Sequence, residues 1–303
     1  MKVRFGVCAD LHTEYIHDAP ARMERFLSAC EDAGCDFGIE LGDFCPPGEK
    51  NISDKETIRR RLRTLAMPFY HVLGNHDMDR NRKSDVLCYL GAKNSSYSYD
   101  CGGVHFVVLD ACCFATEDGC REYANGNYRY AAEGKSVSML SSETLAWLAA
   151  DLADAQYPSV LFSHQSLIES RASIGNAEEL RAVLRKAPHG VILAICGHEH
   201  VDRLEEREGV HYYCLNSMSY YWAGRAYDHE TFGAEHEGRC PLLRHVFPYR
   251  DPLFAIVEID DGEIRITGRT SEIVGSTPEQ MHFVKSGLVD PITASVIDRI
   301  IKP

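Results

Sequence analysis

The chain has 303 residues, 45% of them hydrophobic, which is enough for one large domain or two small ones with a sizeable core. Its formal net charge of −13 argues against general nucleic-acid binding, which needs a basic surface. No apolar run reaches about 18 residues, so no membrane partner is expected.

The N-terminus enters a strand pattern at once, over residues 2–9, with no hydrophobic leader. A cytoplasmic location is expected on that ground. The twelve cysteines are scattered and form no CxxC pair, so they read as reduced thiols. Residues 22–33 have helical periodicity and stop at Gly34, a plausible C-terminal cap. A second strand covers 36–41 and a basic amphipathic helix 53–65, whose Arg59-Arg60-Arg61 run reads as a solvated face. A third strand, 69–73, ends in a tight glycine turn.

This strand–helix alternation predicts an α/β unit with partly parallel pairing. Residues 97–100 and 104–109 flank Cys101-Gly102-Gly103 and read as a hairpin. Residues 111–137 are polar and aperiodic, a long surface insertion in which Tyr123, Asn125 and Asn127 are possible pocket residues. A helix over 141–155 follows, with Ser142 as its expected N-cap and Trp147 on the apolar face. Further strands are expected over 159–162, 191–196 and 211–215, with a helix over 177–186. Residues 217–250 form an aromatic-rich irregular stretch with three surface histidines, His229, His236 and His245. Arg250 is placed for an ion pair with Asp251 or an Asp elsewhere. Strands 254–259 and 263–267 are joined by Asp260-Asp261-Gly262, a hairpin signal. One domain over 1–270, with a tail over 271–303 packing on it, accounts for the chain.

Five strand ends carry metal-binding side chains: Asp10-x-His12, Gly42-Asp43, Gly74-Asn75-His76-Asp77, His164 and Gly197-His198-x-His200. In extended backbone, Asp10 and His12 share a side, as do His198 and His200. Mixed imidazole and carboxylate ligands suit Mn, Fe or Zn better than Ca or Mg. In the third motif an Asn oxygen can bind a cation, the imidazole can donate a proton, and Asp77 can orient that imidazole.

In the order DxH, GD, GNHD, H, GHxH, the chain resembles the calcineurin-like metallophosphoesterases over about residues 10–200. The resemblance implies an αββα sandwich of two mixed sheets flanked by helices, with two metal ions at the carboxyl ends of the strands. It implies that Asp10, His12 and His200 bind one metal and that Asn75, His164 and His198 bind the other. Asp43 would bridge them, and His76 would be the proton donor with Asp77 behind it. A metal-bound hydroxide would attack a small phosphate ester clamped by two cations roughly 3.5–4 Å apart. Phe44-Cys45-Pro46-Pro47 replaces the Asp-Arg-Gly of Ser/Thr protein phosphatases, which argues against that activity. The likeness is to phosphodiesterase-type members, including those acting on cyclic nucleotides or glycerophosphodiesters. A phosphomonoesterase and a non-catalytic scaffold are the alternatives. Beyond the last motif, Tyr220, Tyr221, Trp222 and Arg225 either stack a base and hold a phosphate, or simply pack against the sandwich.

Overall fold

The computed structural model describes residues 1–117, 119–129, 137–170, 172–284 and 291–303. Its frame is a pair of six-stranded mixed sheets. The first runs Arg299–Ile301, Glu263–Thr267, Ala255–Asp260, Lys2–Cys8, Phe37–Glu40, Phe69–His71. Its last three strands are parallel neighbours. The second runs Arg203–Arg207, Val210–Cys214, Val191–Cys196, Ser159–Ser163, Val104–Leu109, Tyr97–Cys101, and its middle four strands are parallel.

Side-chain alternation sorts these strands into layers. Val104, Phe106 and Val108 meet Val3, Phe5 and Val7 of the facing sheet in one buried cluster. Phe5 stacks on Phe37 with ring centres 5.0 Å apart and meets Phe106 edge-on at 5.5 Å. Burying each such ring contributes about 1.5–3 kcal/mol. Val107 and Leu109 point the other way, beneath Leu148, Leu152, Leu180 and Leu184 of helices Ser142–Asp154 and Ala177–Leu184. Met23, Phe26 and Leu27 of helix Ala19–Asp32 cover the outer side of the first sheet. The result is the expected αββα sandwich.

Several local expectations are corrected. Ser141, not Ser142, caps its helix, its hydroxyl accepting from the Thr144 amide at 3.0 Å. The described part of 111–137 is no simple surface excursion. It holds the hairpin Cys113–Thr116/Gly119–Glu122 and buries Cys112, Cys113, Phe114 and Tyr123; residues 130–136 lie outside the described residues. The stretch 217–250 contains the paired strands Tyr220–Trp222 and Val246–Pro248 and the helix Ala234–Arg239. Within it His229 is buried rather than on the surface. Arg250 pairs with Glu272 at 3.3 Å, not with Asp251. Arg61 is not a free solvated charge; it bonds Glu24 at 2.9 Å and also reaches Glu31. From the tail, Arg299–Ile301 extends the edge of the first sheet, while residues 285–290 are outside the described set. No helix among the described residues is long and apolar enough to cross a membrane.

Candidate metal centre

Parallel pairing places the carboxyl ends of Lys2–Cys8, Phe37–Glu40 and Phe69–His71 side by side. These ends deliver Asp10 and His12, Asp43, and Asn75. Ser159–Ser163 and Val191–Cys196, parallel in the other sheet, deliver His164, His198 and His200. The seven side chains converge in two groups. Asp10, His12 and His200 form one triad, and Asp43, His164 and His198 another, with ligand atoms of each triad within 4.8 Å of one another. Asn75 Oδ1 joins the second group at 3.1 Å from His164 Nε2. Asp43 Oδ2 stands 3.2 Å from His164 Nε2 and 3.8 Å from His12 Nε2, within reach of both groups.

Convergence is achieved by a route other than extended backbone. Asp10 (φ 55), His12 (φ 53), Asp43 (φ 55), His198 (φ 68) and His200 (φ 56) are all left-handed. Each costs about 1–3 kcal/mol in a residue with a side chain, and such strain clusters at functional sites. The loops also approach very closely. A Cβ on Gly74 would lie 2.1 Å from the Asp43 nitrogen, and one on Gly197 would lie 2.7 Å from Asp10 Oδ2.

The rings are aimed by backbone carbonyls. His164 Nδ1 bonds Leu41 O and His200 Nδ1 bonds Tyr220 O, both at 2.7 Å, leaving each Nε2 for the site. Burial pushes His12 and His198 down to about 3, so both are neutral imidazoles. Burial alone would raise Asp43, but His164 and His76 outweigh it and hold the carboxyl well below the ordinary range. Asp10 is likewise lowered, with His200 overcoming burial. Buried Asp10 Oδ1 has no hydrogen-bond partner. His200 Nε2 stands 3.3 Å from it, and a buried carboxylate oxygen with no hydrogen bond is costly unless a cation faces it. The donor set therefore fits two ions of the Mn, Fe or Zn type.

Asp77 is not behind His76. Its carboxylate turns inward and accepts from the amides of Gly74 (2.9 Å), Asp43 (3.1 Å) and Phe44 (3.1 Å), tying the second and third motifs together. Burial, with Asp43 and Glu40 nearby, pushes it up to about 8. The carboxylate at His76 Nδ1 is that of Asp79, at 3.0 Å.

A cavity of about 440 Å³ opens over the centre, lined by His12, His76, His198 and His200 and flanked by Tyr15, Tyr128, Arg129, Tyr220, Trp222 and Arg225. Trp222 and Arg225 line this cavity. Tyr221 does not; alternation on its short strand turns it into the core between the sheets, and Tyr220 faces the cavity instead. Tyr123 packs beneath the insertion. Among the described residues, Tyr128 and Arg129 are those of the insertion that reach the cavity, and no spacing rule marked them.

The calcineurin-like phosphoesterase family model matches residues 3–202. No curated protein matches the chain at a significant level. A dimetal phosphatase from Danio rerio has a similar structure, with a TM-score of 0.62 and 17% identity over 88% of this chain and 96% of that one. GAP50, the anchor in the inner membrane complex of Plasmodium, has a TM-score of 0.57 and 13% identity over 91% and 89% of the two chains. At these identities the likeness is one of fold.

Proposed function

The chain belongs to the calcineurin-like phosphoesterases, and we propose that it is a metal-dependent phosphoric ester hydrolase preferring diesters. The observation that carries this reading is Asp43 Oδ2 within reach of both ligand groups, beside the unpartnered Asp10 Oδ1. Asp10, His12 and His200 would hold one ion, and Asn75, His164 and His198 the other, with Asp43 between. When bound, such a pair supplies Lewis-acid charge for phosphoryl oxygens and lowers the pKa of water. His76 then donates to the departing oxygen from the cavity wall. Two further features support the reading: Trp222 and Arg225 offer a stacking face and a cation, and the cavity, about 440 Å³, is also lined by Tyr15 and Tyr128. That leaves room for a second esterified group, such as a nucleoside or glycerol, which a monoester would not fill.

A non-catalytic scaffold is disfavoured because every ligand position of the motif set is filled, and a nuclease because of the −13 charge. Twelve unpaired thiols fit a reducing, cytoplasmic setting. The test is hydrolysis of bis-(p-nitrophenyl) phosphate against p-nitrophenyl phosphate, with Mn²⁺ restored to stripped protein. Faster turnover of the diester is expected. Preference for the monoester would move the assignment to a phosphatase. No turnover of either with two metal equivalents bound would remove the hydrolase reading.

A further inference from the structure

Asp79 has a place that the motif set does not explain. His76 opens a single 3₁₀ turn, His76–Met78, whose three-residue repeat brings Asp79 under the His76 ring. Asp79 Oδ2 meets His76 Nδ1 at 3.0 Å and accepts from the Tyr15 hydroxyl at 2.7 Å. The Tyr128 hydroxyl and the Arg129 guanidinium close on the same carboxylate. Three separate segments, around residues 15, 79 and 128, are therefore knotted at one group on the wall of the cavity. Nδ1 is engaged, so Nε2 is the ring's remaining polar atom, in a residue that lines the cavity.

The geometry points to Asp79 as the positioning residue for His76, taking the part that sequence spacing gave to Asp77. It fixes the ring with Nδ1–H toward the carboxylate and Nε2 toward the departing oxygen, as an orienting carboxylate does in other acid–base dyads. In the step it serves, a water that has released one proton to solvent bonds through its oxygen to phosphorus while the bond to the leaving oxygen breaks. That oxygen keeps the electron pair and takes the proton from His76 Nε2, and the imidazole later recovers a proton from water. The assignment rests on the hydrolase reading above. A purely structural Asp79, holding Tyr15, Tyr128 and Arg129 together, is the competing account.

The two accounts separate by leaving group. A p-nitrophenolate departs with little help, whereas the phenolate of methyl phenyl phosphate needs the proton more. Asp79→Asn is expected to lower kcat on methyl phenyl phosphate by about 10–100-fold with KM and metal content unchanged, but bis-(p-nitrophenyl) phosphate by only about 3-fold or less. Asp79→Glu should recover part of the loss. In a His76→Ala background the Asp79→Asn loss should vanish, since it acts through that ring. Histidine ¹⁵N shifts give a readout independent of turnover, and Asp79→Asn should change the His76 pattern from that of an Nδ1–H ring. Equal losses on both esters, or losses that add in the double variant, would overturn the assignment and leave hydrolysis intact. A wild-type chain that cleaves neither ester would remove the hydrolase reading and this assignment with it.

Discussion

Asp43 Oδ2 lies within reach of both candidate ligand groups, 3.8 Å from His12 Nε2 and 3.2 Å from His164 Nε2. Asp43→Asn keeps the size and removes the charge, so both sites should lose affinity together. Metal analysis should show bound ion falling from two equivalents toward none, and loss from a single site would contradict the sharing. His76, whose Nδ1 is taken by Asp79, touches no ligand triad through that atom. His76→Ala should keep its metals yet lower kcat by about 10²–10⁴-fold. Metal loss in that variant would make His76 a ligand. The identities of these side chains were legible in the sequence because each ligand type follows directly on an apolar run. The backbone was not, because five left-handed non-glycine residues are held by tertiary contacts that spacing does not encode. The same gap explains Asp77. Asp77 merely adjoins His76 in sequence, whereas in a 3₁₀ turn the side chain beneath residue i is that of residue i+3, here Asp79.

His105 shows how one buried side chain joins elements away from the centre. It lies on Val104–Leu109, with Nδ1 at 2.7 Å from Asp100 on the hairpin partner and Nε2 at 2.9 Å from Asp151 on helix Ser142–Asp154. Burial pulls its pKa down, but the two carboxylates outweigh that and raise it above its ordinary value. A raised folded pKa means the stabilisation is complete below the unfolded value of about 6.5 and is lost as pH rises through the folded one. Urea denaturation should therefore find wild type most ahead of His105→Gln near pH 5.5, with the gap narrowing by pH 9. A gap that widens with pH would invert the sign. Elements with a clean period, such as Val104–Leu109 and Ala177–Leu184, were legible. Helix Lys83–Leu90 was not, because it is short and buries the polar Lys83 against Asp110 at 2.6 Å. Strand Arg203–Arg207 escaped too, being a charged edge strand with no apolar alternation.

The centre is also a clasp across the molecule. The first sheet supplies Asp10, His12, Asp43 and Asn75, and the second supplies His164, His198 and His200; below them the layers meet largely through apolar side chains, with polar links such as Tyr97 to His71 and Arg299 to Asp202. Both carboxylates are almost fully buried, so without cations the fold must hold two desolvated acids with only imidazoles to face them, His164 beside Asp43 and His200 beside Asp10. Ions that bind only the folded chain add RT ln(1 + [L]/Kd), about 2.7 kcal/mol per ion at 100 Kd, or a few degrees in a chain of this size. Stripping with a chelator should lower the unfolding midpoint, and restoring Mn²⁺ should raise it with the logarithm of metal concentration. In Asp43→Asn the midpoint should stop responding to metal, because the variant has lost the ligand that both halves of the clasp share. If wild type melts at the same temperature with and without chelator, the ions do not hold the sheets together, and the strained backbone at the strand ends must be held by the protein's own contacts.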